Sequence, residues 1–262
     1  MPCELAAREA VSGQRIIRLI ASDAVHAAPA GSIQGSAGRE AGKGLRWPAA
    51  TGAYNFKTMR QRVRNALEKG YTVPHATRWY VYQHLTGGLE IEAHFPGLYK
   101  LLLQVGPAPP SADTVIRCDV HRTMPTIPFF GSRFQPGPGQ SQLYRILTAY
   151  AHLDPEVCYT QGMAFIVALL LLTGMREQAA FYAFAGLMLR FGLRHFFGNG
   201  LHLTLLAHKV LTRLLEHAAP VLAAKLEEAM VLPPAYATQW LMTMFVSILL
   251  SKGWCANIRW MI

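Results

Sequence analysis

Apolar residues recur at helical spacing along most of the chain, three or four positions apart on one face. In the segment 57–69, for example, Met59, Val63 and Leu67 form an apolar stripe on an otherwise basic stretch. No run alternates apolar and polar residues for long enough to predict a strand, so the predicted fold class is all-α. Helices are predicted at 57–69, 74–87, 89–103, 114–122, 142–152, 159–173, 177–191, 201–217, 220–229 and 235–250.

The N-terminal part lacks this periodicity. Residues 22–53 are rich in Ala, Gly and Ser, a composition typical of flexible linkers. We therefore expect a flexible or disordered segment at 1–53, a helical domain at 54–250 and a short tail at 251–262.

Two strongly apolar runs, 162–172 and 240–250, raise the question of a membrane segment. A helix needs about 20 apolar residues to cross a bilayer, and both runs are shorter. They are therefore predicted to be buried core helices, with no transmembrane segment. The N-terminus also lacks the pattern of a signal peptide, because charged residues break its apolar stretches.

Composition and charge exclude further classes of protein and of partner. The chain is 52% hydrophobic and 15% charged, which excludes a wholly disordered protein. Its net charge of +10 favours an acidic partner surface of nucleic acid, lipid or protein. The basic residues are scattered and the aromatic residues lie at core spacing, so we expect no nucleic-acid partner. The 4 cysteines form no metal-binding pattern, and we expect reduced thiols in a cytoplasmic protein and no metal site.

The first candidate constellation lies on the helix predicted at 114–122, with Asp113 as its N-cap. Ile116, Asp119 and Arg122 are three residues apart and share one face of this helix. Ile116 is expected to point inward, while Asp119 holds Arg122 in the last turn, where its side chain can reach outward. The alternative is an ordinary surface ion pair, which contributes little.

The second constellation is the sequence Tyr-Thr-Gln-Gly-Met at 159–163, at the mouth of the most apolar helix. Two roles are open for Gln161. Its side chain either satisfies backbone donors at the start of the helix or points at a ligand.

The two patterns together, I-x-x-D-x-x-R followed by Y-x-Q-G-M on an all-α chain, resemble the TBC domain family. Members of this family are GTPase-activating proteins for Rab-type small GTPases. The resemblance covers about residues 57–250 and implies a multi-helix TBC-type domain.

The resemblance also implies roles for single residues. Arg122 would be an arginine finger, and Gln161 would be a glutamine finger that orients the attacking water. Asp119 would orient Arg122, and Tyr159 would shape the loop that presents Gln161. Ile116 and Arg78 would be supporting residues.

A GTP-bound Rab-like GTPase is the partner that the resemblance implies. GTP and Mg²⁺ belong to that partner, so this chain would carry no cofactor and no complete active site of its own. The implied setting is vesicle trafficking and intracellular protein transport, in the cytoplasm, with peripheral association with endomembranes through the GTPase.

The chain departs from the family pattern at several positions. Cys158 stands where the family has Gly, and Ala164 stands where it favours Asn. If the backbone at 158 needs a positive φ, Cys158 costs about 1 kcal/mol or more. Beyond Leu250 the family pattern is lost, and we expect an incomplete C-terminal lobe. These departures favour the alternative of a catalytically weak or inactive TBC-like scaffold that binds a GTPase or another protein.

Overall fold

The computed structural model describes residues 61, 65, 75–132 and 134–247, which form helices and connecting loops. No strand occurs within these residues, apart from an isolated bridge between Gly131 and Pro136. The predicted all-α class is therefore confirmed. The helices are α1 (His75–Thr86), α2 (Gly88–His94), α3 (Leu98–Gln104), α4 (Pro110–Arg122), α5 (Pro138–Leu153), α6 (Met163–Leu172), α7 (Glu177–Ala185), α8 (Arg194–Phe197), α9 (His202–Ala218), α10 (Pro220–Glu228) and α11 (Pro233–Met242).

The core is built around α6, whose sequence is apolar on every side. A helix of this kind needs neighbours all round, and α6 packs against α4, α5 and α7. Helix α7 in turn contacts α1, α2 and α3. The first apolar run is thus a buried core helix, as predicted. Among the described residues, none of the helices combines the length and the apolar character needed to span a membrane.

Two predicted boundaries in the N-terminal half are wrong. The single helix expected at 89–103 is divided into α2 and α3, because Gly97 has φ 81° and Pro96 precedes it. Helix α4 begins at Pro110, so Asp113 lies in its first turn and is not the N-cap. A proline at the first helical position already fits the helix and needs no N–H partner.

The helix predicted at 159–173 begins only at Met163. Gly162 has φ 111°, outside the helical range, so residues 159–162 form a loop. The helix predicted at 177–191 is α7 continued by a π-helical turn, Gly186–Arg190.

Helix α11 ends at Met242, where the prediction continued to 250. Met244 and Phe245 have positive φ values of 50° and 62°, which break the helix there. The segments 1–53 and 251–262 lie outside the described residues, as do most of the helix predicted at 57–69 and the predicted domain boundary at 54.

Helices α9 and α10 are less buried than α5–α7. Within α9 only Thr204 and His208 are buried, and every residue of α10 is at least partly exposed. Their exposed apolar side chains are Leu205, Leu206, Val210, Leu214, Val221 and Leu222. The tightly packed part of the domain therefore lies around α4–α7, where both candidate constellations are found.

Candidate functional site

The last turn of α4 carries an ion pair between a buried carboxylate and an exposed guanidinium. The Nε–H of Arg122 donates to Asp119 Oδ1 at 2.8 Å. The Asp119 side chain is only 4% exposed, whereas that of Arg122 is 55% exposed. Ile116 is fully buried one turn earlier on the same face, so the helix is anchored beneath the pair. The predicted pairing and the inward direction of Ile116 are both present.

The second oxygen of the same carboxylate joins the two constellations. The hydroxyl of Tyr159 donates to Asp119 Oδ2 at 2.6 Å across 40 residues of sequence. Burial raises the pKa of the Tyr159 phenol well above its usual value, and the hydrogen bond to Asp119 raises it further. The phenol therefore stays protonated at physiological pH and remains a donor. Asp119 thus ties the loop before α6 to the end of α4.

Gln161 lies exposed in this loop, two residues after Tyr159. The N-cap of α6 is Gly162, not Gln161, and no hydrogen bond joins the Gln161 side chain to the start of that helix within the described residues. The role of satisfying backbone donors is therefore not the one that Gln161 takes here. Its amide makes no hydrogen bond within the described part of the chain, so it is available to a ligand.

Gly162 fixes the direction of the loop. A Cβ atom at this residue would lie 2.7 Å from the carbonyl oxygen of Met242, so a larger residue would clash with α11. Its φ of 111° also favours glycine. The backbone can therefore turn sharply between the exposed Gln161 and the buried Met163.

The other end of the loop is held by an ion pair that the sequence did not predict. Arg194 of α8 donates from Nε and Nη2 to the two oxygens of Asp154, at 2.8 and 3.0 Å. Asp154 is fully buried and also accepts the Tyr150 hydroxyl at 3.0 Å. These hydrogen bonds raise the pKa of Arg194. Nothing in the sequence links Asp154 to Arg194, since no helical or turn spacing relates the two positions.

The comparisons with known proteins show the family of the chain and support its fold. A family model described as the Rab-GTPase-TBC domain matches residues 75–250. The chain belongs to the Rab-GTPase-TBC domain family. The TBC relatives include human TBC1 domain family member 1, 34% identical over 200 residues, which cover 72% of this chain and 17% of that protein. A second is the Rab GTPase-activating protein tbc-11 of Caenorhabditis elegans, 34% identical over 178 residues, with 67% of this chain and 18% of that protein covered.

This TBC chain therefore spans less than a fifth of these relatives. The crystal structure of the Chlamydomonas flagellar RabGAP TBC domain aligns with a TM-score of 0.58 and 23% identity. That alignment covers 75% of this chain and 65% of the other. This alignment supports a TBC-domain fold for the present chain.

Arg78 lies on α1 and is half-buried. Helix α1 packs against α2 and α7, whereas α4 packs against α5 and α6. The helix of Arg78 thus packs mainly on other helices than α4 does, and the supporting role of Arg78 stays a prediction.

Cys158 has a φ of 56°, so it adopts the left-handed conformation. This is the case in which Cys, standing where the family has Gly, was expected to cost stability. Its backbone N–H donates to the carbonyl oxygen of Asp154 at 2.7 Å, which holds this conformation. Burial raises the pKa of the Cys158 thiol, so the side chain is a neutral thiol. A non-glycine residue in this conformation costs about 1 kcal/mol.

Replacement of Cys158 by Gly is therefore expected to raise the free energy of unfolding by about 0.5–1 kcal/mol through relief of the backbone strain. The lost packing of the half-buried thiol reduces this gain. Urea denaturation measures this change. The matched control is Cys118→Gly inside α4, where glycine is expected to lower stability by about 1 kcal/mol. If both variants lost stability to the same extent, the left-handed position would not be strained.

Proposed function

We propose that this TBC domain accelerates GTP hydrolysis by a GTP-bound Rab-type small GTPase. The observation that carries the proposal is the shared carboxylate of Asp119. One oxygen holds Arg122 and the other holds Tyr159, two residues before Gln161. One buried group thus holds an exposed arginine and the loop that carries an exposed glutamine. The names of the relatives, which include Rab GTPase-activating proteins, support the same function.

In this proposal Arg122 supplies positive charge to the phosphoryl group that the GTPase transfers. Small GTPases are slow because this charge is poorly stabilised, and an arginine supplied in trans is worth about 10³–10⁵ in rate. Arginine suits the role because it is always charged and presents several donors in one plane. Asp119 holds the guanidinium in place before the partner arrives, so less ordering is needed on binding.

Gln161 would orient the attacking water. A glutamine does this with its amide, one group donating and the other accepting a hydrogen bond. Asp154, Tyr159 and Gly162 hold the loop at three places, and these contacts support the backbone on both sides of Gln161. GTP and Mg²⁺ belong to the partner. With a Rab as partner, the chain would act in vesicle trafficking, in the cytoplasm and peripherally on endomembranes.

The tie between Tyr159 and Asp119 gives a prediction for the loop. The Tyr159→Phe variant keeps the ring and loses only the hydroxyl, so it is expected to lower stability by about 1 kcal/mol. The maximal stimulated rate is expected to fall about tenfold or more, because Gln161 is less well positioned. Single-turnover hydrolysis at varied concentrations of this chain separates the maximal rate from the half-saturating concentration.

The matched control for this variant is Tyr144→Phe. The Tyr144 hydroxyl donates to Asp113 at 2.5 Å, and Asp113 is paired with Arg117 at 2.7 Å on the same helix α4. This second cluster has the same chemistry as Asp119, Arg122 and Tyr159, but its hydrogen bonds among the described residues join Asp113, Arg117 and Tyr144 and do not reach the Gln161 loop. An equal loss of maximal rate in both variants would contradict a positioning role for Tyr159.

A hydrolysis screen tests the function itself. The purified chain is added to a panel of GTP-loaded Rab GTPases, and phosphate release is followed. We expect at least one Rab to be accelerated by about 10³-fold or more over its intrinsic rate. No acceleration of any Rab would contradict the proposal.

The second candidate is a scaffold that binds a GTPase without accelerating hydrolysis. The left-handed Cys158, three residues before Gln161, favours it, because strain at this position would displace the loop. The same panel decides between the two. A scaffold would bind a GTP-loaded Rab and leave its hydrolysis rate unchanged, and Cys158→Gly would then be expected to restore the stimulation.

A further inference from the structure

The segment that joins α4 to α5, directly after Arg122 in sequence, presents several exposed apolar side chains. Four of its apolar side chains are exposed, Pro125, Pro128, Phe134 and Pro136, and we call them the proline ledge. Phe134 is 92% exposed, more than any other large apolar side chain of the described residues. Between 123 and 137 the sequence carries a single charged residue, Arg133.

The turn that carries Phe134 is closed by its own hydrogen bonds. The backbone N–H of Ser132 donates to the carbonyl oxygen of Gln135 at 3.0 Å, and the N–H of Gln135 donates to Ser132 Oγ at 3.2 Å. At the base of the turn, the N–H of Gly137 donates to the carbonyl oxygen of Phe130 at 2.7 Å. Phe130 is fully buried, so the base is anchored in the core. Phe134 thus lies between Ser132 and Gln135, which are hydrogen-bonded to each other.

The turn is also tied to the helix that carries Arg122. The side-chain amide of Gln140 donates to the carbonyl oxygens of Gly131 and Ser132, both at 3.3 Å. The amide oxygen of Gln140 lies 3.2 Å from Nδ1 of His121, the residue before Arg122. The proline ledge and the arginine are therefore held in a fixed relation to one another.

An exposed aromatic ring contributes little to the fold of this chain, because it buries almost no surface. It is well suited to binding, since Phe134 has few rotatable bonds and the prolines have little freedom to lose. Interfaces draw most of their affinity from a few such anchors that become fully buried in the complex. The four side chains of the ledge are themselves apolar, which indicates an apolar surface on the partner.

We propose that the proline ledge docks against an apolar patch of the GTPase beside its nucleotide site, with Phe134 as the anchor. This inference rests on the proposed function, because a GTPase whose phosphate reaches Arg122 must lie against the end of α4, where the ledge begins. The fit between Phe134 and that patch would then contribute to the choice of GTPase. Phe134 takes no part in the reaction itself.

The test compares the parent chain with Phe134→Ala on the Rab that responds best. Binding to that Rab, loaded with a non-hydrolysable GTP analogue, is measured by titration alongside single-turnover hydrolysis. We expect Phe134→Ala to raise both the Kd and the half-saturating concentration about tenfold or more, with an unchanged maximal rate. Thermal unfolding should not change, since the side chain is exposed. The control is Met230→Ala, 84% exposed on the turn between α10 and α11, which should change neither quantity.

The outcomes separate this inference from the proposed function. If the parent stimulates hydrolysis and Phe134→Ala matches it in Kd and half-saturating concentration, the ledge is not a docking surface. If the parent binds a Rab without stimulating it, the proposed function fails, and the Kd of Phe134→Ala still decides the docking. Absence of binding to every Rab would overturn both. Binding of both proteins to phosphatidylcholine vesicles is measured as well. If Phe134→Ala lost vesicle binding that the parent shows, and its Kd for the Rab were unchanged, Phe134 would belong to a membrane surface and the proposal would be overturned.

Discussion

Replacement of Arg122 by Ala is expected to remove about 10³-fold or more of the stimulated hydrolysis rate. The fold should survive, because the Arg122 side chain is 55% exposed and Asp119 keeps the Tyr159 hydroxyl as a partner. Phosphate release in single-turnover experiments measures the loss. Thermal unfolding of the variant confirms that the fold is intact.

Two companion variants sharpen this experiment. Arg122→Lys should not restore the rate, because an ammonium group lacks the planar set of donors. Arg117→Ala is the matched control, since Arg117 lies on the same helix, is 57% exposed and is paired with Asp113 in the same way. Arg117→Ala should stimulate hydrolysis like the parent. If Arg122→Ala did so too, Arg122 would not be the arginine finger.

The Gln161→Ala variant is expected to lower the maximal stimulated rate by about 10²-fold, because the water is no longer oriented. Its stability should equal that of the parent, since the side chain is exposed and makes no hydrogen bond within the described residues. Gln239→Ala, at an exposed position of α11, is the matched control and should have no effect on rate. Gln161 would instead have a structural role if Gln161→Ala were less stable than the parent but stimulated hydrolysis at the same rate under conditions in which it is fully folded.

The part of the site on α4 could be predicted because its geometry is local. Residues three apart on a helix share a face, so the sequence alone places Asp119 beside Arg122 and Ile116 beneath them. The all-α class follows in the same way from helical periodicity. The family resemblance then supplied the link to the second motif, which spacing alone could not give.

The loop of Gln161 could not be predicted in detail because distant contacts shape it. The apolar run suggested a helix from residue 159. Instead the chain turns at Gly162, where Met242 leaves no room for a Cβ, and α6 begins one residue later. The pair between Asp154 and Arg194 depends likewise on how α8 folds back onto the loop. Neither contact leaves a periodic signal in the sequence.

The central claim is that one chain supplies both an arginine and a glutamine to the GTPase. The most direct measurement uses a responding Rab whose own water-orienting glutamine has been replaced by Ala. The parent chain should still stimulate hydrolysis by this Rab, because Gln161 takes over the missing role, and the Gln161→Ala variant should not. If the parent stimulated the normal Rab but failed on the substituted one, Gln161 would not act on the water, and a mechanism with Arg122 alone would remain.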